Sequence, residues 1–198
     1  MPLVPSELPR DPYVLFERWF SDAQQAGAPQ PEAMTLATAG ESGPSARMVL
    51  FKGFRNGDFV FYSNYGSRKG RDISYDPRAA LVFYWSVTRH QVRVFGRVVR
   101  MRRLESERYW ATRPRGAQLS ALASRQSSVV RSREVLERRV LDLAAKYPEV
   151  VPLPRDWGGY GVRPRWIEFW ENRDDRLHDR IRYSVKTTGA WRMERLAP

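Results

Sequence analysis

Residues 46–70 read ARMVLFKGFRNGDFVFYSNYGSRKG and carry two strands, a tight turn and a helix start in one run. Arg47, Val49 and Phe51 alternate with Met48, Leu50 and Lys52, the period of two that sends successive side chains to opposite faces of a sheet. Asn56-Gly57 follows. Both residues tolerate the positive φ of a type I′ turn, so the strand is expected to fold back as a hairpin with Asp58 to Ser63 as its second arm. Tyr65-Gly66-Ser67-Arg68-Lys69-Gly70 then sets a flexible glycine, a capping hydroxyl and two cations at one helix N-terminus, where free backbone N–H groups and positive charge suit a phosphate. A capped, solvated helix is spelled with the same residue types. What distinguishes this one is the strand before it, because Arg47 and Lys52 stand among apolar residues and are costly to bury without an anionic partner.

Composition bounds the chemistry available to the rest of the chain. With 198 residues, 42% of them hydrophobic and 13% aromatic, the chain is long and apolar enough for one globular domain with a substantial core. No apolar run is long enough to span a bilayer, and MPLVPSELPRDPY at the start lacks the basic and apolar regions of a secretory signal, so a cytoplasmic protein with no membrane partner is expected. There are no cysteines and only two histidines, His90 and His178, which removes disulfides and thiol nucleophiles and argues against a metal site. The net charge of +12 favours anionic partners. The arginines are scattered rather than gathered into a basic tail, and no zinc finger, RRM signature or basic zipper is present, so nucleic acid is not expected.

Outward from the central run, Asp11-Pro12 opens a helix, with Asp as N-cap and Pro at the first helical position. Leu15 with Trp19, and Phe16 with Phe20, form apolar i, i+4 pairs before Gly27 ends it. Met34 to Ala39 reads as a short strand. Ala79 to Trp85 is nearly continuous apolar and reads as a strand buried on both faces. A surface turn through Arg89-His90 leads into Gln91 to Met101, whose Gly96 marks a bulge or a close approach. Leu104 to Thr112 is helical, the chain leaves the helix at Arg113-Pro114-Arg115-Gly116, and Gln126-Ser127-Ser128 is a polar turn. Glu134 to Lys146 is an amphipathic helix with Leu136, Val140, Leu143 and Ala144 on its apolar stripe. A proline-rich loop ends at Trp157-Gly158-Gly159-Tyr160, Arg165 to Glu171 is a strand, and Ile181 to Val185 and Trp191 to Leu196 pair across Thr187-Thr188-Gly189. The pattern suggests an antiparallel barrel with added helices.

At this point several motifs, in this order, give the chain a family likeness: DPYVLFERW, ARMVLFK, FYSNYGSRKG, RQSS at Arg125 to Ser128, WGGY, IEFWENRDDRLHDR and the terminal ERLAP. From about Asp11 to Pro198 the chain resembles the pyridoxine (pyridoxamine) 5′-phosphate oxidases, FMN enzymes that make pyridoxal 5′-phosphate. The resemblance implies a mainly β fold with α additions, a split β-barrel over residues 1–198, with an N-terminal helix (about 11–27) and a helical insertion (about 103–147). It also implies a homodimer with FMN at the interface.

Carried over motif by motif, the flavin set is Arg47, Met48, Val49, Leu50, Phe51, Lys52, Tyr62, Ser63, Arg68, Lys69, Gln91, Gln126, Ser127, Trp170 and Arg180. Lys52, Tyr109 and Arg113 are implied at the substrate phosphate, and Arg176, Leu177 and His178 at the pyridine ring, with Arg176 and His178 in the catalytic role. The implied activity is oxidation of pyridoxine 5′-phosphate and pyridoxamine 5′-phosphate with O2 as acceptor and H2O2 as by-product, by hydride transfer from the 4′ carbon, as in vitamin B6 metabolism. Two features depart from the family: the ten residues before Asp11 do not match its substrate-covering arm, and Ala117 stands where a phosphate-binding serine is common. Alternatives are a related flavin oxidase of the phenazine type, or a basic split barrel that binds FMN, heme or RNA without turnover.

Overall fold

The computed structural model describes residues 3–198; Met1 and Pro2, the first residues of the expected domain and leader reading, lie outside the described residues. Helix α1 (Pro12–Gln25) opens at Asp11, whose carboxylate accepts from Tyr13 N at 2.9 Å, and ends just before Gly27 at φ +75°. Among the described residues, nine antiparallel strands follow: β1 (Ala33–Gly40), β2 (Gly43–Leu50), β3 (Phe54–Arg55), β4 (Asp58–Asn64), β5 (Arg78–Trp85), β6 (His90–Arg100), β7 (Trp157–Glu171), β8 (Asp179–Val185) and β9 (Trp191–Arg195). Helix α2 (Arg68–Tyr75) lies between β4 and β5, and α3 (Arg103–Thr112), α4 (Arg115–Ala123) and α5 (Arg133–Lys146) lie between β6 and β7. None of these helices is long and apolar enough to cross a membrane.

The sheet runs β2-β1-β5-β6-β7-β4-β3, with β8 on β7 and β9 on β8. Strand β7 holds it together by changing partner along its length. Residues 157–162 pair with β4, residues 166–171 pair with β8, and β6 pairs with the other edge from Tyr160 to Glu171. The change falls at Pro164, which has no N–H to give a ladder. Opposite it, the β6 register shifts between Phe95 and Gly96. A Cβ on Gly96 would lie 2.0 Å from the Arg163 carbonyl oxygen, so only glycine lets the strands meet there. The result is the split, unclosed antiparallel barrel expected from the sequence.

Its interior is aromatic. The Phe16 ring of α1 meets those of Phe51, Phe54, Phe59 and Phe83 edge-on at centroid distances of 5.3, 5.4, 5.2 and 5.0 Å, the arrangement the ring quadrupole favours. Leu36, Leu81, Val92, Val94, Ile167, Phe169, Ile181 and Tyr183 complete this core. A smaller cluster of Trp110, Leu119, Val151 and Trp157 is packed by Val140, Leu143 and Ala144 of α5.

Several expectations need correction. The type I′ turn forms, with Asn56 at φ 52° and Gly57 at φ 79°, but its first arm is the two-residue β3 rather than the strand beginning at Arg47. Gly53 at φ +86° bends the chain after Leu50, and β2 instead pairs along its whole length with β1. Strand β5 is buried on one face only: Ala79, Leu81, Phe83 and Trp85 point into the core and Tyr84 is exposed, because an antiparallel strand of this sheet has its core on one side. His90 is not a surface turn residue. It begins β6 with its ring stacked on Trp19 at 3.8 Å, because α1 covers that end of the strand. The chain leaves α3 at Arg113 as expected, but Arg115-Gly116 already starts a further helix, α4, with Pro114 at φ −54° as its N-cap. Trp157 to Tyr160 is the first part of β7 rather than the end of a loop. Gly158 and Gly159 are packed so closely by Tyr65, Ser106, Met101 and Tyr62 that added Cβ atoms would lie 2.1 and 2.7 Å from their nearest neighbours. Strand β8 likewise begins at Asp179, where the sequence reading had a turn continuing to Arg180.

Gly96→Ala is expected to cost about 1–3 kcal/mol by overpacking the crossing. Urea unfolding measures it; an unchanged midpoint would show that the β6–β7 contact yields without strain.

Candidate active site

A cleft opens where α2, the end of β2, β4, α3 and the loop after α4 converge. Two adjoining cavities, of about 210 and 380 Å³, share Tyr62, Ser63, Arg113 and Gln126. The smaller is also lined by Met48, Val49, Leu50, Lys52, Lys69 and Tyr109. All ten residues belong to the flavin or substrate sets expected from the sequence.

Local structure explains the basic end. Ser67 caps α2: its Oγ accepts from Gly70 N at 3.3 Å and donates to Asn64 O at 2.7 Å. Gly70 is needed because a Cβ would lie 2.1 Å from the Tyr65 carbonyl oxygen. The cap turns Lys69 inward, where its Nζ donates to Gln126 Oε1 at 2.9 Å and to Ser67 Oγ at 3.3 Å. Ser63 Oγ donates to the same Gln126 oxygen at 3.0 Å. Burial, and then the Arg47 guanidinium, push the Lys69 ammonium down to about 8, while Asp72 offsets part of the effect. A cation so placed gains from any anion that enters the cleft.

Arg47 already has an anionic partner within the chain. Its Nη2 lies 3.2 Å from Asp72 Oδ2 and its Nη1 donates to Thr38 Oγ1 at 2.6 Å, while Thr38 Oγ1 donates to Asp72 at 2.8 Å. The half-buried strand arginine therefore does not by itself require an external anion. Asp72 needs Gly40 beneath it, where a Cβ would lie 2.4 Å from its carboxylate.

The opposite wall is aromatic. Tyr62 stacks on Tyr109 at 3.8 Å, and Trp157 continues the stack at 5.6 Å from Tyr62. The Arg113 guanidinium lies 4.9 Å from the Trp157 ring centre, close enough for cation–π attraction. Arg113 Nη2 donates to Ala117 O at 3.0 Å, and its buried Nε has no partner.

Other expected residues lie elsewhere in the chain. Phe51 is a core ring. Arg68 points to Ser42 and lines a neighbouring cleft with Arg71 and Asp72. Ser127, at φ 70°, lines a third cleft between the α4–α5 loop and α5. Gln91, Trp170 and Arg180 stand side by side in register across β6, β7 and β8. Next to this row, on the turn before β8, His178 packs against Trp170 at 4.7 Å and its Nδ1 accepts from Arg173 N at 3.0 Å. Arg176 has φ 65° and Leu177 is exposed. No hydrogen bond, ion pair or ring contact among the described residues joins this row and turn to the cleft.

Three residues at these places were missed by sequence reasoning. Trp157 stood inside a motif without a role, Asp72 follows the SRKG cap with the look of an ordinary helix acid, and Glu168 sits in a strand whose alternation assigns it to the outer face. Only the fold reveals what each of them touches.

A family profile described as "Pyridoxamine 5'-phosphate oxidase" matches residues 20–147, and one described as "Pyridoxine 5'-phosphate oxidase C-terminal dimerisation region" matches residues 157–198. A Cupriavidus pinatubonensis protein named pyridoxine/pyridoxamine 5′-phosphate oxidase is 50% identical over 98% of this chain and 92% of its own length. A Rubrobacter xylanophilus protein of the same name is 54% identical over 95% of this chain and 87% of its own. Among solved structures, PhzG from Burkholderia lata in complex with tetrahydrophenazine-1-carboxylic acid superposes with a TM-score of 0.92 at 31% identity, covering 99% of this chain and 98% of its own.

The Lys69 environment sets a pH dependence. The ammonium is the form that holds an anion, and in the free protein it is lost as pH rises through about 8. Affinity for sulfate, whose own charge is constant in this range, should hold below that pH and fall above it by up to about tenfold per unit. Lys69→Gln should weaken binding and flatten the profile. Calorimetric titration reads both, and a parental affinity that does not change with pH would remove Lys69 from the anion site.

Proposed function

Because the chain belongs to the pyridoxine/pyridoxamine 5′-phosphate oxidase family, we propose that it oxidises pyridoxine 5′-phosphate and pyridoxamine 5′-phosphate to pyridoxal 5′-phosphate, with FMN as cofactor and O2 as acceptor, releasing H2O2. The observation that carries this reading is the convergence of Lys69, Ser63 and Gln126 with Lys52, Tyr109 and Arg113 on one cleft. The donor set fits a flavin phosphate: a buried ammonium, a serine hydroxyl and an amide face the cavity, with Arg47 held beside them by Asp72. The proposed compartment is the cytoplasm. The whole chain is proposed to act as one FMN-binding unit, with α1 and α3–α5 as additions.

We further propose a homodimer in which the Gln91–Trp170–Arg180 row and the Arg176–His178 turn of one copy complete the cleft of the second. Supporting it are the match of the last strands to a dimerisation region and the exposed Met48, Leu50, Tyr84 and Leu177 side chains.

Bound FMN supplies the two-electron acceptor; the chain supplies position and electrostatics. Lys52 and Arg113 provide the charges for the substrate phosphate, with Tyr109 adding a hydroxyl. Arg113 is preoriented by Ala117 O and by the Trp157 ring, and its buried Nε is left without a partner among the described residues. In its neutral form His178 carries its proton on Nε2, because Nδ1 already accepts from the Arg173 N–H. It therefore offers the substrate ring a donor and orients it rather than taking a proton. Arg176 presents a planar guanidinium that can lie against the ring and hold the 4′ carbon. The stacked Tyr62, Tyr109 and Trp157 rings line the wall.

A second reading, oxidation of a reduced phenazine precursor, is favoured by the 0.92 TM-score to PhzG. The higher identity to the vitamin B6 oxidases and the phosphate-suited set of Lys52, Tyr109 and Arg113 weigh against it. Anaerobic addition of pyridoxine 5′-phosphate to the FMN-loaded protein separates the two. Bleaching of the flavin is expected; a spectrum that stays oxidised would overturn the B6 reading. Within it, Arg113→Ala removes a charge-assisted hydrogen bond of roughly 1.5–3 kcal/mol, so binding of the phosphorylated substrate should weaken about 10- to 150-fold while unphosphorylated pyridoxine is little affected. Equal losses for both would make Arg113 structural.

A further inference from the structure

Glu168 is a buried carboxylate on the sheet face turned away from the aromatic core, where β7 otherwise presents Trp166 and Trp170. In register it stands between Arg93 of β6 and Arg182 of β8. Its Oε1 accepts from Arg180 Nε at 3.1 Å and from Arg180 Nη2 at 2.9 Å, and its Oε2 lies 3.5 Å from Arg93 Nη1. Arg182 is drawn off toward Glu194 at 3.3 Å. Glu168 is therefore the only carboxylate within ion-pairing distance of Arg180 among the described residues, and Arg180 Nη1 is tied to Ala197 O at 2.9 Å.

We propose that Glu168 is a positioning residue: it grips two nitrogens of the Arg180 guanidinium and thereby fixes that side chain on the ligand row beside Trp170 and Gln91. The inference rests on the proposed role of Arg180 at the flavin. Two bonds from one carboxylate oxygen, with a third from Ala197 O on the far side, leave the guanidinium little freedom to rotate. A ligand that meets it therefore does not have to order it. The same carboxylate also offsets the repulsion among Arg93, Arg180 and Arg182, which would otherwise splay a row of cations across three strands. An oppositely charged neighbour of this kind is needed wherever arginines are brought together at a sheet's centre. The arrangement parallels Asp72, which holds Arg47 in the first part of the chain.

The test is FMN binding to the apo-protein, followed by quenching of flavin fluorescence. Glu168→Gln, which removes the charge but keeps the shape, should weaken FMN about 10- to 100-fold. Arg180→Ala should do the same, and the double variant should lose little more than either alone, because the two act as one unit. Glu194→Gln, which frees Arg182 on the same face, should leave FMN affinity unchanged. If Glu168→Gln destabilises the fold, Glu168→Asp keeps the charge one methylene short and should give an intermediate loss with a parental circular dichroism spectrum. Parental FMN affinity in a folded Glu168 variant, or losses that simply add in the double variant, would overturn the inference while leaving the Arg180 reading standing. Parental affinity in Arg180→Ala would defeat that reading and this inference with it.

Discussion

The constraint on which the structure depends is that one strand, β7, serves two sheets' worth of neighbours. Its first half closes against β4 and its second half against β8, with β6 along the opposite edge. The exchange needs a residue that donates no hydrogen bond and a partner without a side chain, and Pro164 beside Gly96 meets both needs. Two parts of the fold follow from where that exchange occurs. The first half carries Trp157 to the cleft wall, and the second carries Glu168 and Trp170 to the outer face, beside Arg180 of β8.

Positive charge is the second organising theme. A chain with 34 Lys and Arg against 22 Asp and Glu must either leave its cations in water or give the buried ones partners. At Arg47 and Arg180 a buried carboxylate does so, each through more than one hydrogen bond in its network. Lys69 is different: its partners at the cleft are neutral oxygens of Ser67 and Gln126, so its charge is desolvated and only partly compensated. That contrast distinguishes two cations held by carboxylates from one whose charge is left largely uncompensated at the cleft.

Where the sequence reading and the structure diverge, the cause is usually that a local pattern has two solutions and tertiary contacts choose between them. Asn56-Gly57 forms the turn its residue types require, yet which strand it closes depends on Gly53, whose positive φ sends Phe51 to the core and frees β2 to pair with β1. The run Ala79 to Trp85 is apolar on both faces as a string, but only alternate residues are covered within the chain, which leaves Tyr84 exposed. His90 looks like a turn residue until α1 lays Trp19 across it.

The sequence by itself determined most of the helices and strands. Strand alternation, the Asp11 and Ser67 caps, the I′ turn and the glycine bulge are written in residue types whose conformational limits are local. The order of short motifs, from ARMVLFK to RLHDR, also identified the family and the residues to examine. Tertiary structure decided assembly: that Lys69 meets Gln126 across 57 positions of sequence, that Arg113 lies over Trp157, and that the Gln91–Trp170–Arg180 row stands apart from the cleft. It also decided which carboxylate each arginine meets. Such pairings join residues far apart in the chain through burial and register, and neither quantity exists until the sheet has formed.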